Sequence, residues 1–545
     1  MNLESSVLSH PYRAWRRLFA IVVVALPAMV AGISMRDSYV EGLVGSLAGL
    51  PPQRSANVGN VMSIQSEQVL APRMPPQAAR AASVVVTATN NYVTAPDNLP
   101  DVGVSGIGTT APGYLFTTAF RGSAQSHLLI LDNQGEVVYF REMPADVANA
   151  ANTDFKRQPN GQLTYFNGAE AAYKVMNSAY EIVDTWSMVG YPTDEHDLQI
   201  LPNGNALLMS YNPISMDLSA YGGITNAVLV DLVIQEQNAS KSVVFEWSAL
   251  NNIPITDSYH LITFTVFDPY HGNALELDLD GNLLLSNRHT SDIVKINRAT
   301  GGIMWRLGGR SNEFVFVNDG GFSLQHDIRR LPNGHITLFD NGNGRVDFQR
   351  ETYFSRAVEY ELDEANKIIT RVWEYRNSPD IYGMFMGNAQ RLPNGNTMIG
   401  WGGPRSVGTE VTPDGQEAIE LNFSRTVAGL SYRWFRFPWV GRPATTPTLA
   451  LKGSRLYFSW NGATEISAYR VEGAPTQGGV FRTITTELRT GFETSTTLPV
   501  NTGLCVFRVM PIEKFGAETR FSNTVYNIED PACQRNSVVL PLLIN

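Results

Sequence analysis

Cysteine is almost missing from this 545-residue chain: Cys505 and Cys533 are the only two. That excludes a disulfide-rich scaffold and a zinc module built on several cysteines, and leaves room for one disulfide in an oxidising compartment. Basic charge is in deficit, with 41 Lys and Arg against 51 Asp and Glu, a net charge of −10. Three of the bases, Arg13, Arg16 and Arg17, precede an apolar run, so the remainder is more acidic still. No nucleic-acid partner is expected from such a balance. Histidine is scarce, eight residues in all, so each one in a patterned position carries information. Helical periodicity is missing as well: 46 Gly and 30 Pro interrupt any long 3.6-residue repeat.

The apolar run at residues 18–33 follows the arginines as an h-region follows a positive n-region. It is shorter than the about 20 residues of a membrane span. Residues 1–34 are therefore read as a signal peptide or signal anchor, and Arg16-Arg17-Leu18-Phe19 has part of a twin-arginine pattern. The chain is expected to be exported, periplasmic or extracellular, with a possible N-terminal membrane tether. Residues 35–80, with Pro51, Pro52, Pro72, Pro75 and Pro76 among Gln, Ser and Ala, read as a disordered linker. Residues 531–545 form a tail whose apolar end is too short to span a membrane or to signal a lipid anchor. Asn238-Ala239-Ser240 and Asn422-Phe423-Ser424 are glycosylation sequons, which matter only in a eukaryotic secretory pathway.

What is abundant is one turn. It recurs as Pro159-Asn160-Gly161, Pro202-Asn203-Gly204, Leu279-Asp280-Gly281, Pro332-Asn333-Gly334 and Pro393-Asn394-Gly395. Asn-Gly and Asp-Gly are the residues of a type I′ hairpin, with positive φ at both positions. Most are followed by β-prone runs such as Leu283-Leu284-Leu285-Ser286 and Ile336-Thr337-Leu338-Phe339. A second series, Tyr139, Trp186, Trp247, Trp305, Trp373 and Trp434, ends or nearly ends strand-like runs. Six aromatics over residues 81–445 give about 61 residues per unit, enough for four short strands. The fold class expected is all-β: a six-bladed β-propeller over residues 81–445, although the spacing would also tolerate seven. After Pro443 the texture changes to period-two runs around Trp460, and residues 446–530 read as a smaller fibronectin-III-like β-sandwich. It is read as accessory, with a carbohydrate- or partner-binding role as the sharper alternative.

Three histidines stand beside the turns. His196 lies in Asp194-Glu195-His196-Asp197 and His326 in Gln325-His326-Asp327, each five residues before a Leu-Pro-Asn-Gly turn; His271 lies nine residues ahead of Asp280. Equivalent positions in successive blades converge on one volume around the axis. Arg288 follows His271 by 17 residues, enough for one hairpin out and back. Each histidine alone has a bland reading, a bond to the turn backbone. Three imidazoles also suit zinc, but a fixed guanidinium repels a divalent cation unless an anion lies between them, so no metal and no cofactor is expected. Arginine with several imidazoles instead complements a tetrahedral oxyanion, and a neutral imidazole is a nucleophile. Tyr270 is a candidate for stacking on a substrate ring; His260 and His289 are spare candidates, with His289 read as structural.

These residues resemble the arylsulfate sulfotransferase family. The resemblance is carried by Pro112-Gly113-Tyr114-Leu115-Phe116 through Val137-Val138, His196-Asp197, His271-Gly272-Asn273, Ser286-Asn287-Arg288-His289, the segment from Gly301 to Gly309, and Gln325-His326-Asp327 with Phe339-Asp340-Asn341-Gly342. It covers about residues 105–440, and Ser459-Trp460-Asn461-Gly462 is similar to the C-terminal module of a second branch of that family. The resemblance implies an exported six-bladed propeller that moves a sulfuryl group from an aryl sulfate donor to a phenolic acceptor without the nucleotide donor PAPS. It implies His326 as the nucleophile that carries a sulfohistidine, His196 and His271 as further active-site histidines, Arg288 as the sulfate-binding arginine, and ping-pong kinetics. The enterobacterial branch carries its sandwich N-terminally, whereas here it is C-terminal, which leaves oligomeric state and acceptor access open. The competing readings are an aryl sulfate hydrolase and a non-catalytic propeller that binds sulfated, phenolic or glycan ligands.

Overall fold

The computed structural model describes residues 86–88, 91–106, 108–120, 126–143, 152–343, 354–403, 406–423, 430–499, 502–528 and 530–534. All of them belong to the second of two compact units, Ala82–Asn545. The expected export segment and linker lie outside the described residues, as does the tail beyond residue 534. No helix among the described residues is long and apolar enough to cross a membrane.

The described chain is all-β and propeller-like. Between residues 86 and 437 it forms six antiparallel sheets. Sheet I holds Lys156–Arg157, Leu163–Asn167, Ala172–Met176 and Ile182–Trp186. Sheet II holds Gln199–Ile200, Ala206–Met216, Ala227–Gln237 and Val243–Ser248, with Val266–Phe267 added in parallel. Sheet III holds Gly272–Leu277, Leu283–Asn287, Asp292–Ile296 and Ile303–Gly308. Sheet IV holds His326–Arg330, Ile336–Asp340, Arg356–Asp363 and Ile368–Tyr375, with Val315–Val317 on its edge. Sheet V holds Asn388–Arg391, Thr397–Gly400, Val407–Val411 and Glu417–Phe423, extended by Val102–Ser105 and Val86–Ala88. In sheet VI the chain closes on itself: Trp434–Phe437 pairs with Tyr114–Ala119, followed by His127–Leu131 and Val137–Glu142.

Strand alternation explains how the sheets stack. Leu283 and Leu285 point into one cluster with Leu207, Leu232 and Ile234 of sheet II. Leu284, between them, points into another with Ile336, Leu338 and Val358 of sheet IV. A strand buried on both faces needs apolar residues at every position rather than at every second one, which is why the run is Leu-Leu-Leu. The same face-to-face packing joins IV to V, V to VI, VI to I and I to II. The first strands close a polar ring inside it. Lys156 bonds Asp197 (2.5 Å), Leu275 N–H bonds Asp197, Arg329 bonds Leu275 O, Ala389 N–H bonds Asp327, Asn388 bonds Trp434 O, and Arg433 returns to Asp154 (2.8 Å).

The recurring turn differs from the expected type I′. Only the glycine is left-handed: φ is +86° at Gly161, +83° at Gly204 and Gly281, +88° at Gly334 and +89° at Gly395, and none of the five residues before them has positive φ. The bonds Gly204 N–H to Leu201 O and Leu201 N–H to Asn205 O repeat at every site. This is a type I turn with a glycine bulge. Asn or Asp is selected for its side chain, which accepts the N–H two residues on, as Asn203 does from Asn205 (3.0 Å) and Asn333 from His335 (3.1 Å). No atom lies within 4 Å of a Cβ built on Gly204, so Gly204→Ala carries backbone strain alone. It should cost about 1 kcal/mol, with Gly204→Asn costing less, as read from thermal unfolding.

The aromatic series sits on the fourth strands, with one exception. Each reaches the turn between third and fourth strands of the next sheet: Tyr139 stacks on Tyr180 (3.9 Å), Trp186 lies under Lys241 (2.9 Å), Trp247 donates to Gly301 O, Trp305 to Glu364 and Trp373 to Pro413 O. Trp434 departs from the series. It begins the first strand of sheet VI, because ring closure builds that sheet from both ends of the region.

Residues 448–526 form two further sheets. One holds Thr448–Lys452, Arg455–Ser459 and Glu493–Thr497; the other holds Arg482–Leu488, Ile466–Ala474, Val506–Glu513 and Val525–Tyr526. Their facing sides share a core of Leu456, Phe458, Trp460, Tyr469, Val471, Phe507 and Val509. Cys505 and Cys533 are joined as a disulfide.

Candidate active site

The first strands of sheets II, III and IV each bring one histidine to the same end of the ring. His196 precedes Gln199–Ile200, His271 precedes Gly272–Leu277 and His326 begins its strand. The hairpin after His271 returns as expected, with Arg288 N–H bonding His271 O (3.0 Å) and His289 N–H bonding Tyr270 O (2.9 Å). The ring centroids of His196 and His271 are 5.2 Å apart, and those of His271 and His289 are 4.5 Å apart. The segment Met384 to Met386 links His326 to Arg288: its Met384 O lies 3.4 Å from Arg288 Nη2 and its Met386 N–H 3.2 Å from His326 Nε2. All four residues singled out from sequence therefore share one volume. His326 lies deepest, 2% exposed, while the side chains of His196 and His271 are 13% and 23% exposed.

Each imidazole is oriented through Nδ1. Asp194 accepts both the backbone N–H and Nδ1–H of His196 (3.0 and 2.8 Å). Asp268 does the same for His271 (3.1 and 2.6 Å). His326 donates from Nδ1 to Asn341 Oδ1 at 2.7 Å. The Asn341 amide cannot turn round, because its nitrogen is spent on Gly383 O and Met386 O. A neutral ring protonated at Nδ1 carries its lone pair on Nε2, and at His326 that atom accepts only the Met386 N–H among the described residues, at 3.2 Å. The backbone around the site is left-handed at His271 (φ +51°), Leu324 (+52°), Asp327 (+61°) and Met386 (+65°), none of them glycine. Strain of this kind is held only where the surroundings over-determine it.

The environments push the three histidines apart. Burial, with Arg288 nearby, holds His326 well below the ordinary histidine pKa, although the Asn341 bond opposes this. Burial, His196 and Arg288 do the same to His271. At His196 burial also disfavours the imidazolium, but Asp194 and Glu195 outweigh it and the pKa is raised. The site thus combines one imidazole biased toward its protonated form with two biased toward the neutral form. Arg288 presents Nη1 to His289 Nε2 (2.8 Å) and Nη2 to Met384 O (3.4 Å); its Nε is buried and unbonded among the described residues.

Ligating atoms of Asp268, His271 and His289 lie within 4.8 Å of one another, the arrangement closest to a metal centre among the described residues. Both Nδ1 atoms already donate to Asp268, and the Arg288 cation rests on the far side of His289. These groups suit hydrogen bonding among themselves better than a cation.

Sequence reasoning assigned no role to Asn341, which stands there only within a motif, nor to Asp268 or Tyr211, whose hydroxyl bonds Gly272 O and whose ring lies 5.2 Å from both His196 and His271. Asn341 was within reach: it follows His326 by 15 residues, nearly the interval from His271 to Arg288. Tyr270 proves to be core. It is fully buried with its hydroxyl on Ile253 O, because it precedes the left-handed His271 and points to the opposite side.

The sequence model of the family described as Arylsulfotransferase (ASST) matches residues 107–433. Over 165 residues the chain is 28% identical to arylsulfate sulfotransferase AssT of Escherichia coli, a match covering 24% of this chain and 27% of that protein. The aligned part thus spans about a quarter of that curated relative. Among solved structures, a protein of unknown function from Bacteroides caccae is similar at 14% identity and a TM-score of 0.38, over 59% of this chain and 98% of its own. Virginiamycin B lyase from Staphylococcus aureus is similar at 10% identity and a TM-score of 0.31, over 66% of this chain and 94% of its own.

Proposed function

Because the chain belongs to the arylsulfotransferase family, we propose that it transfers a sulfuryl group from an aryl sulfate donor to a phenolic acceptor, without PAPS, through a sulfohistidine on His326. The observation that carries this reading is the Nε2 lone pair of His326, fixed by Asn341 and placed within the field of Arg288. The ring of face-packed sheets supports a six-bladed propeller over residues 81–445. The paired sheets beyond it support a fibronectin-III-like module over 446–530, as in the second branch of the family. The Cys505–Cys533 pair favours export to the periplasm or beyond, with residues 1–34 as signal peptide or anchor.

In the first half-reaction the sulfate oxygens lie on Arg288 and on the N–H groups around it. His326 Nε2 attacks sulfur, the N–S bond forms and the S–O bond to the aryl group breaks. The departing phenolate takes its proton from the His196 imidazolium. In the second half the now neutral His196 removes the proton of the acceptor phenol, whose oxygen takes the sulfuryl group from Nε2. The bond from Nδ1–H to Asn341 stays in place throughout and stabilises the ring while Nε2 is substituted. Donors preorganised toward developing charge supply about 3–4 kcal/mol each.

The direct test is mass analysis, at alkaline quench, of the tryptic peptide 311–329 after donor addition. One added sulfuryl group supports the reading; an unmodified peptide during turnover removes it. Product analysis with and without phenol separates transfer from hydrolysis, and absence of any p-nitrophenolate release points to a binding propeller. His196→Gln lowers kcat/KM for the donor, which reports the first half-reaction alone, about 10²–10⁴-fold with phenyl sulfate and less with p-nitrophenyl sulfate, whose leaving group departs without a proton. An equal fall of kcat/KM with both donors would take the acid role away from His196.

A further inference from the structure

One residue outside this scheme controls its arginine. Asp268 holds three imidazoles with different atoms: its carboxylate takes Nδ1–H of His271 (2.6 Å), its carbonyl faces His289 Nδ1 (2.6 Å), and its N–H donates to His260 Nδ1 (3.3 Å). A carbonyl oxygen only accepts, so His289 must carry its proton on Nδ1, which leaves Nε2 as an acceptor. Arg288 Nη1 donates to that Nε2 at 2.8 Å. Among the described residues the guanidinium makes one other bond, to Met384 O, and it is long at 3.4 Å. His289 is itself fixed on both sides, stacked on His260 (4.6 Å, 17°) and bonded through its carbonyl to Tyr259 N–H.

We propose that His289 is a positioning residue: its Nε2 lone pair, set by the Asp268 carbonyl, aims the Arg288 guanidinium at the sulfuryl group. This rests on the reading of Arg288 as the oxyanion-binding residue. The charged and titratable groups facing His289 are Arg288, His271, His260 and Asp268, with Arg310 beyond, over the Tyr259 ring. Burial with His271 and Arg288 holds the ring neutral, against the pull of Asp268. Neutrality is required: a proton on Nε2 turns the acceptor into a second donor against a cation.

The test compares two amides at position 289. In His289→Gln the side-chain oxygen reaches the place of Nε2 and still accepts from Arg288. In His289→Asn the amide reaches only the place of Nδ1, keeping the Asp268 bond and losing the aim. With p-nitrophenyl sulfate as the donor, His289→Asn should raise KM and lower kcat/KM about tenfold or more, while His289→Gln stays within a fewfold of wild type. Saturating donor should still sulfate peptide 311–329 in both variants. Matching kinetics in the two variants overturns the proposal. An unmodified peptide in the wild type overturns the reading beneath it instead.

Discussion

Replacing His326 with asparagine lowers sulfuryl transfer by about 10⁴-fold or more, the scale seen when a covalent nucleophile is removed. The asparagine amide can still meet Asn341, and the position keeps its ladder pairing with Phe339, so the fold and donor binding survive. What disappears is the Nε2 lone pair. Arg288, His196 and His271 are then left around a donor that nothing attacks. Steady-state release of p-nitrophenolate, together with a donor-displacement measurement, separates loss of chemistry from loss of binding. Turnover near that of the wild type would mean that another group attacks sulfur.

Arg433→Met should destabilise the protein by about 3–5 kcal/mol, the usual cost of leaving buried partners of a charge unpaired. Arg433 is 3% exposed and lies against Asp154 (2.8 Å), Asp197 (3.4 Å) and Asp327 (3.5 Å), with a further bond to Asn273 O (2.9 Å). Among the described residues, only Lys156 and Arg329 would remain paired with those three carboxylates. Asp197 shows how tight this balance is. Burial alone would favour its protonation, yet Arg329, Lys156 and Arg433 hold it well below the ordinary carboxylate range. Nearby Glu276 has fewer cations and is pushed up to about 7 by burial. Arg433→Lys should recover part of the loss, since it keeps the charge but not the fork. An unchanged melting temperature in Arg433→Met would show that this ring is not what holds the centre. Activity should fall as well, because Asp197 and Asp327 directly follow His196 and His326. Each His-Asp pair sends one side chain to the site and the next into the charged centre.

Much of the site was legible because it is periodic. His196 and His326 keep the same distance from the same turn, and Arg288 lies one hairpin beyond His271. A ring of similar sheets turns equal sequence offsets into equal heights around an axis. The turn itself was found with the wrong geometry: Asn before Gly satisfies both a type I′ turn and a type I turn with a bulge. The choice between them was decided by the Asn side chain bonding two residues ahead. Trp434 was misplaced for a different reason. A repeat read along the chain does not reveal that the last sheet borrows strands from both ends.

The sequence by itself pointed to an anion site: imidazoles and one guanidinium at regular offsets, the complement of a tetrahedral oxyanion. Only the tertiary structure decided how each imidazole is held: His326 on Asn341 with its pKa pushed down, His196 on Asp194 with its pKa raised, and His289 between the Asp268 carbonyl and Arg288. Part of this lies with neighbours far away in the chain, such as Asn341 for His326 and Met384 for Arg288. The physical reason is that a tautomer and a pKa are set by whatever lies within hydrogen-bond reach and by burial, and ring closure brings those distant groups into reach.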